Sequence, residues 1–390
     1  MNIIKYNSFL IAIFIFNSLV SLIFKIFPLP NLPVSVIFAV LSLPVLLNGL
    51  RFSPVLLIVP LFLVVWVSFN ILITDSEMET ITYTLALIIP FGFVTSIVSA
   101  IPICKQTLLN YLKSFSLLNF MLLAYMALFL PQLYLDRDVM NYMTYGYWML
   151  TSALVFSLLY IMHDDRVMLV LAVLAGVFIV FFGSRFASVC FVFGSFALYI
   201  YMKGITKIAV VTIIAVLVTT SVIAINLENV LLFILSITEL FDLQPTSLYR
   251  LLKMVSSDSL AISTGRDSLY TISLEVIKNN PFGVGVYGYY KDLLQGNFGL
   301  FRYPHNIFIQ LVLEFGIFGG VGIIISIIML IYFNLKYIEP SSGWLFVLLL
   351  MINTKLLVTG SYLWEMSFWM FIVIGATNIM VYKKERRQRI

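Results

Sequence analysis

Apolar runs of roughly twenty residues, broken by short polar turns, recur along nearly the whole chain. A helix needs about 20 apolar residues to cross a bilayer. The pattern predicts spans at 8–24, 32–50, 54–73, 81–103, 115–135, 142–162, 167–183, 186–202, 208–226, 306–334, 343–360 and 362–381. The expected fold is therefore an all-α integral membrane bundle of about 12 transmembrane helices. Pro90 and Pro131 fall inside spans, where membrane helices tolerate them. The first run has no small-residue cleavage site after it and reads as a span. No internal repeat relates the two halves.

Composition strengthens this reading. Hydrophobic residues make up 62% of the chain and charged residues 11%, and the mean hydropathy is +1.06. A soluble domain is about a quarter charged, so a water-soluble globule is excluded. The net charge of +5 calls for no nucleic acid, because much of it sits in KKERRQR at 383–389. Cys104 and Cys190 lie in or beside apolar runs and read as small buried hydrophobes without metal or disulfide spacing.

Basic residues favour the cytoplasmic side. That rule puts both termini in the cytoplasm, with 383–390 a basic tail. Arg51, the Lys105–Lys113 segment, Lys203, Lys207 and Lys336 fall on the same side, and so does the mixed turn HDDR at 163–166. The acidic turns at 75–80 and 136–138 fall outside. The chain reads as a single polytopic domain over 1–390, with one long outer loop at 227–305. A loop of that length is functional or disordered, and its apolar run at 230–241 predicts short amphipathic helices.

Within that loop, residues 263–281 predict a helix. Thr264 and Asp267 have capping-box spacing. Leu269, Ile272 and Val276 share a face, and Asn279-Asn280-Pro281 stops it. Arg266 stands in the first turn, where a cation adds to the positive end of the helix. It either builds an anion site or pairs with Asp267 or Glu275 on the surface. Gly283, Gly285 and Gly288 match G-x-G-x-x-G, but no strand precedes them, which rules out a dinucleotide fingerprint. These glycines permit a sharp turn or close approach to another segment.

Pro304 disfavours helix at Tyr303, so the next span begins near His305 or Asn306. A histidine at a helix N-terminus favours the neutral imidazole, the form required of a general base. A capping or interfacial histidine is the competing reading. Glu314 lies nine residues further, about 13 Å deeper along a straight helix, and a buried carboxylate there needs a partner. Lys355 and Glu365 fall near the same depth, and Lys355 is expected to pair with one of the two carboxylates. The pair either fixes the helices or takes part in chemistry. Arg185 sits at a Gly-Ser break on the outer side. Arg185, Arg266 and His305 thus share one face of the membrane, and two arginines suit a phosphate or diphosphate.

The run from GSR, through STGRDSLYTISLEVIKNNPFGVGVYG, to PHNIFIQLVLEFGIFGG resembles the O-antigen polymerase and O-antigen ligase superfamily of bacterial envelope glycosyltransferases. The resemblance covers about residues 170–335. It implies a helical bundle in the bacterial plasma (inner) membrane, with a large periplasmic loop. The implied donor is an undecaprenyl-diphosphate-linked glycan, the acceptor a hydroxyl, and no metal or other cofactor is implied. Arg185 and Arg266 would hold the diphosphate, with Arg302 a further substrate-binding candidate, and His305 would activate the hydroxyl. A polymerase joining lipid-linked repeat units is favoured over a ligase acting on lipid A core. The ligase pattern carries a second histidine and an acidic residue around His-Asn, where this chain has Pro304 and Ile307. A chain-length regulator is an implied partner, alongside membrane lipids. A flippase for the lipid-linked sugar is the rival from another class, opposed by the lack of internal repeats. A non-catalytic polysaccharide-binding scaffold is the weakest reading.

Overall fold

The computed structural model describes residues 2–26, 34–49, 68, 82, 85–86, 88–130, 141–206, 227–239, 245, 248–249, 251–252, 266–289 and 303–388. Among them every regular element is helical. In chain order these are α1 (Ile3–Ile15), α2 (Asn17–Ile26), α3 (Val34–Gly49), α4 (Thr95–Ala100), α5 (Lys105–Phe129), α6 (Tyr142–His163), α7 (Arg166–Phe182), α8 (Arg185–Lys203), α9 (Leu227–Glu239), α10 (Arg266–Asn279), α11 (Ile307–Tyr337), α12 (Pro340–Asn353) and α13 (Met366–Gln388). A π-helical turn over Ile88–Val94 leads into α4.

Six helices are long and apolar enough to cross a membrane, counting α12 with the 3-10 turn that extends it to Leu357, and a seventh span results if α1 and α2, bent by 66°, count as one. The chain is a multi-helix membrane protein, with fewer spans among the described residues than the twelve expected. The runs at 54–73 and 208–226 lie almost wholly outside those residues. Those at 32–50, 81–103 and 167–183 form shorter apolar helices. Pro90 lies in the π-helical turn, and α7 stops where Gly183 leaves the helix and Ser184 caps the next one. One start is corrected outright. The span expected from residue 115 begins at Lys105, because Lys, Gln and Leu are good helix formers and their charge does not end a helix.

The chain divides into two compact units. One comprises Met1–Phe24, Pro28–Tyr111 and Thr264–Ile390, the other Lys25–Phe27 and Leu112–Ser263. The segment 227–305, expected as one loop, is therefore shared between them, with its division at Ser263 and Thr264.

In the second unit α6 is the central helix, flanked by α7 and α8. A Cβ on Gly146 would stand 2.6 Å from the Ser184 nitrogen, so only glycine lets the Gly183-Ser184 turn seat against α6. Asn119 donates to the Trp148 carbonyl (3.0 Å) and the Ser152 hydroxyl (2.8 Å), tying α5 to α6. Val170, Val173, Val177 and Val180 lie exposed along one stripe of α7, a face suited to lipid. At the far end of α6, Asp165 caps α7 and meets Lys113 at 3.8 Å, while Lys203 meets Asp164 at 3.9 Å. Lys113, Lys203 and the 163–166 turn thus share one end of the second unit. The amphipathic α9 buries Leu231 and Leu235 with Leu248, against Phe181.

The first unit is built on α11, α12 and α13. Phe346 stacks on Phe371, with centroids 4.8 Å apart. Asn334, fully buried in α11, donates to the Gly375 carbonyl (3.1 Å) and accepts from Asn378 (3.0 Å), both in α13. Buried amides of this kind fix helix register where lipid offers no polar competitor.

Candidate active site

The site is assembled in the first unit from three segments: residues 281–289, the start of α11, and the connection 354–365 between α12 and α13. Asn306 is the N-cap of α11, and its side-chain oxygen accepts from the amides of Phe308 (2.9 Å) and Ile309 (3.2 Å). Capping therefore belongs to Asn306, and His305 is relieved of it. His305 adopts a left-handed backbone, φ 55°, which is uncommon for a residue with a Cβ. It is 8% exposed. Its ring lies 4.3 Å from the Tyr303 ring, which meets Trp364 edge-on at 5.2 Å. Two chain segments thus make an aromatic lip beside the histidine, a surface suited to the apolar faces of a sugar.

Ten residues past the cap, α11 breaks. Gly316 has φ 73° and ψ 176°, so the helix is two pieces. In a straight helix Val312 and Gly320 would be about 12 Å apart. Here a Cβ on Gly320 would stand 2.6 Å from the Val312 Cα, so the first piece folds back on the second. The break falls two residues past Glu314, so Glu314 belongs to the first piece together with the cap at Asn306. Residues 317–337 alone rise about 31 Å at 1.5 Å per residue, enough to span a hydrocarbon core.

A broken helix leaves backbone groups without intrahelical partners, and these must be satisfied by protein where lipid surrounds it. The glycine-rich turn does so. Val284 donates its amide to the Leu313 carbonyl (2.9 Å) and Gly285 to that of Glu314 (3.1 Å), while Ile317 donates to the Pro281 carbonyl (2.9 Å). The approach is backbone to backbone, so the G-x-G of this turn serves close packing.

Glu314 is fully buried at this junction. It accepts from Gln310 Nε2 (2.9 Å), from the Tyr287 amide (3.4 Å) and from the Tyr362 hydroxyl. Gln310 also donates to Ser361 Oγ at 2.7 Å. One carboxylate thereby ties together all three segments of the site. Burial pushes the neighbouring Tyr289 phenol well above its ordinary pKa, and the Glu314 charge adds to the effect. Lys355 pairs with Glu365 at 2.7 Å, each side chain 15% exposed. Of the two carboxylates considered for it, Lys355 takes Glu365, and Glu314 is served by neutral donors.

The other candidates are distributed as follows. Arg266 is the first residue of α10, which ends at Asn279 as expected. Its side chain, the Thr264–Asp267 capping box and Arg302 lie outside the described residues. Arg185 is exposed and opens α8 in the second unit. Gln310, Ser361 and Tyr362 escaped the sequence reading. Gln310 had a signal, being a lone amide four residues before Glu314 on the same helical face. Ser361 and Tyr362 had none, since only folding brings 361–362 to Glu314.

Residues 170–324 match the family model described as O-Antigen ligase, close to the range of 170–335 over which a resemblance was expected. The match takes in Arg185, Arg266, the glycine-rich turn, His305, Glu314 and Gly316. No curated protein matches the chain, and no solved structure does. On a helical membrane scaffold, this stretch of the chain is similar to the O-antigen ligase family, which supports the expected superfamily of O-antigen polymerases and ligases.

Proposed function

We propose that the protein is a surface-polysaccharide polymerase. It joins undecaprenyl-diphosphate-linked repeat units on the outer face of the plasma membrane. The acceptor hydroxyl attacks the anomeric carbon of the donor. A new carbon–oxygen bond forms there, the bond to the lipid diphosphate breaks, and that diphosphate leaves with the electron pair. His305 accepts the hydroxyl proton. Arg185, Arg266 and Arg302 hold the diphosphate and stabilise the charge it gains on leaving, so the reading invokes no metal.

The observation that carries the proposal is the histidine itself. Its cap role is taken by Asn306, its backbone is left-handed, and it stands beside the Tyr303–Trp364 aromatic lip. A strained backbone held by its surroundings is a mark of functional sites. A ligase, moving finished glycan to lipid A core, is the second reading, favoured by the description of the matching family model.

A deletion strain rescued with the wild-type gene or with His305→Ala tests these readings on a gel of surface polysaccharide. A core carrying one repeat unit and no ladder supports the polymerase. Bare core with long polymer stranded on the lipid carrier supports the ligase. Bare core with single units trapped inside supports a flippase, and a full ladder from His305→Ala removes the catalytic role of the histidine.

A further inference from the structure

The ends of α11 and α13 far from His305 enclose a cleft of about 360 Å³. Its floor is apolar and aromatic (Phe333, Tyr337, Ile338, Ile379, Tyr382), and its rim is Lys383, Arg386 and Arg387. The cleft is preformed. One turn away Asn334 locks α11 to α13 through Gly375 and Asn378, and the Tyr337 and Tyr382 rings pack against each other at 5.8 Å in its wall. The rim carries only positive charge. Glu385 lies two residues from Lys383, about 200° around the helix, and does not line the cleft.

Its surroundings indicate what fills it. Phe333, on the floor, continues at four-residue spacing into Met329 and Ile325, exposed by 37%, 45% and 55%. A cationic rim thus passes directly into an exposed apolar stripe running along the span. A soluble anion would use the rim and leave the stripe empty. A molecule with an anionic head and a hydrocarbon tail uses both. Basic pockets between membrane helices bind phospholipid headgroups in this way.

We infer that this cleft is a binding site for an anionic phospholipid, with its phosphate among Lys383, Arg386 and Arg387 and an acyl chain along Phe333, Met329 and Ile325. The site is independent of the glycosyl-transfer reading, since it lies at the opposite end of α11.

Native mass spectrometry of the purified full chain, with added phosphatidylglycerol or phosphatidylcholine, tests it. Phosphatidylglycerol is expected to be retained and phosphatidylcholine not. Each of Lys383→Gln, Arg386→Gln and Arg387→Gln weakens retention about fivefold, and the triple variant on the order of a hundredfold, at about 1 kcal/mol per cation. Lys278→Gln, in the last turn of α10 and off the cleft, changes it less than about twofold. Met329→Ser weakens it without removing charge. Equal retention of the two lipids, an equal loss from Lys278→Gln, or displacement by inorganic phosphate each overturns the proposal. The variants alter exposed residues, and an unchanged melting temperature confirms that each is folded.

Discussion

Gly283 and Gly316 sit back to back. A Cβ on Gly283 would stand 2.5 Å from the Gly316 nitrogen, and a Cβ on Gly316 would stand 2.4 Å from the Phe282 carbonyl carbon. Both have positive φ, 93° and 73°. The glycine-rich turn and the Glu-Phe-Gly of the following helix are therefore two halves of one joint, in which the turn supplies hydrogen bonds that the broken helix lacks.

Either glycine replaced by alanine meets backbone that cannot yield and a φ that disfavours it. Gly283→Ala and Gly316→Ala are each expected to cost about 2 kcal/mol or more, read as a lower melting temperature in detergent. Gly322, in the same helix with nothing within 4 Å of its Cβ position, is the control. Gly322→Ala should be neutral or slightly stabilising, and equal losses at 316 and 322 would refute the joint.

Glu314→Leu leaves Gln310, Tyr362 and the Tyr287 amide without their buried acceptor. An unmet buried donor costs about 1–3 kcal/mol. Glu314→Gln keeps one carbonyl oxygen and should lose less. Limited proteolysis supplies a local readout, because the 281–289 turn should become cleavable in Glu314→Leu while α6 stays protected. Unchanged protection of the turn would mean that the carboxylate does not hold it.

Lys355→Met leaves Glu365 with an uncompensated charge in a half-dry site. The cost is about 1–3 kcal/mol, below the value for a fully buried pair because both partners keep some solvent. Expression and melting temperature should fall, and Lys355→Met with Glu365→Gln should recover part of the loss. Normal levels and normal activity in Lys355→Met would refute a structural role for the pair.

His305 and Asn306 separate strain from capping. Glycine adopts a left-handed backbone freely but loses the buried ring, so His305→Gly should cost less stability than His305→Ala, whose Cβ keeps the strain, while both abolish the polysaccharide ladder. Asn306→Ala loses two accepted bonds and should cost about 1 kcal/mol. A stable His305→Gly that still makes a ladder would assign the strain no functional purpose.

The residues of the joint were legible only in halves. Gly283 and Gly285 read as a turn or a close approach, and Glu314 as a buried charge requiring a partner. Nothing local says that the turn enters the break after Glu314, because backbone hydrogen bonds between 281–285 and 313–317 carry no residue-specific pattern. Gly316 inside an apolar run looks like an ordinary membrane-helix glycine, which neighbouring segments tolerate, so one span was expected where two pieces stand. The start of α5 was hidden for the opposite reason, since lysines that mark a membrane edge still continue a helix.

What the sequence determined by itself is whatever depends on local composition and period: helices long enough to cross, a helix closing at Asn279, a helix opening after Pro304. Transfer free energy and capping are local, so they are written residue by residue. Tertiary structure alone decided which carboxylate Lys355 takes, that Tyr362 and Gln310 serve Glu314, and where α11 breaks. Those outcomes depend on which buried donors and acceptors meet once the helices have packed. In a membrane interior, with no water to satisfy the remainder, that pairing dictates the shape of the site.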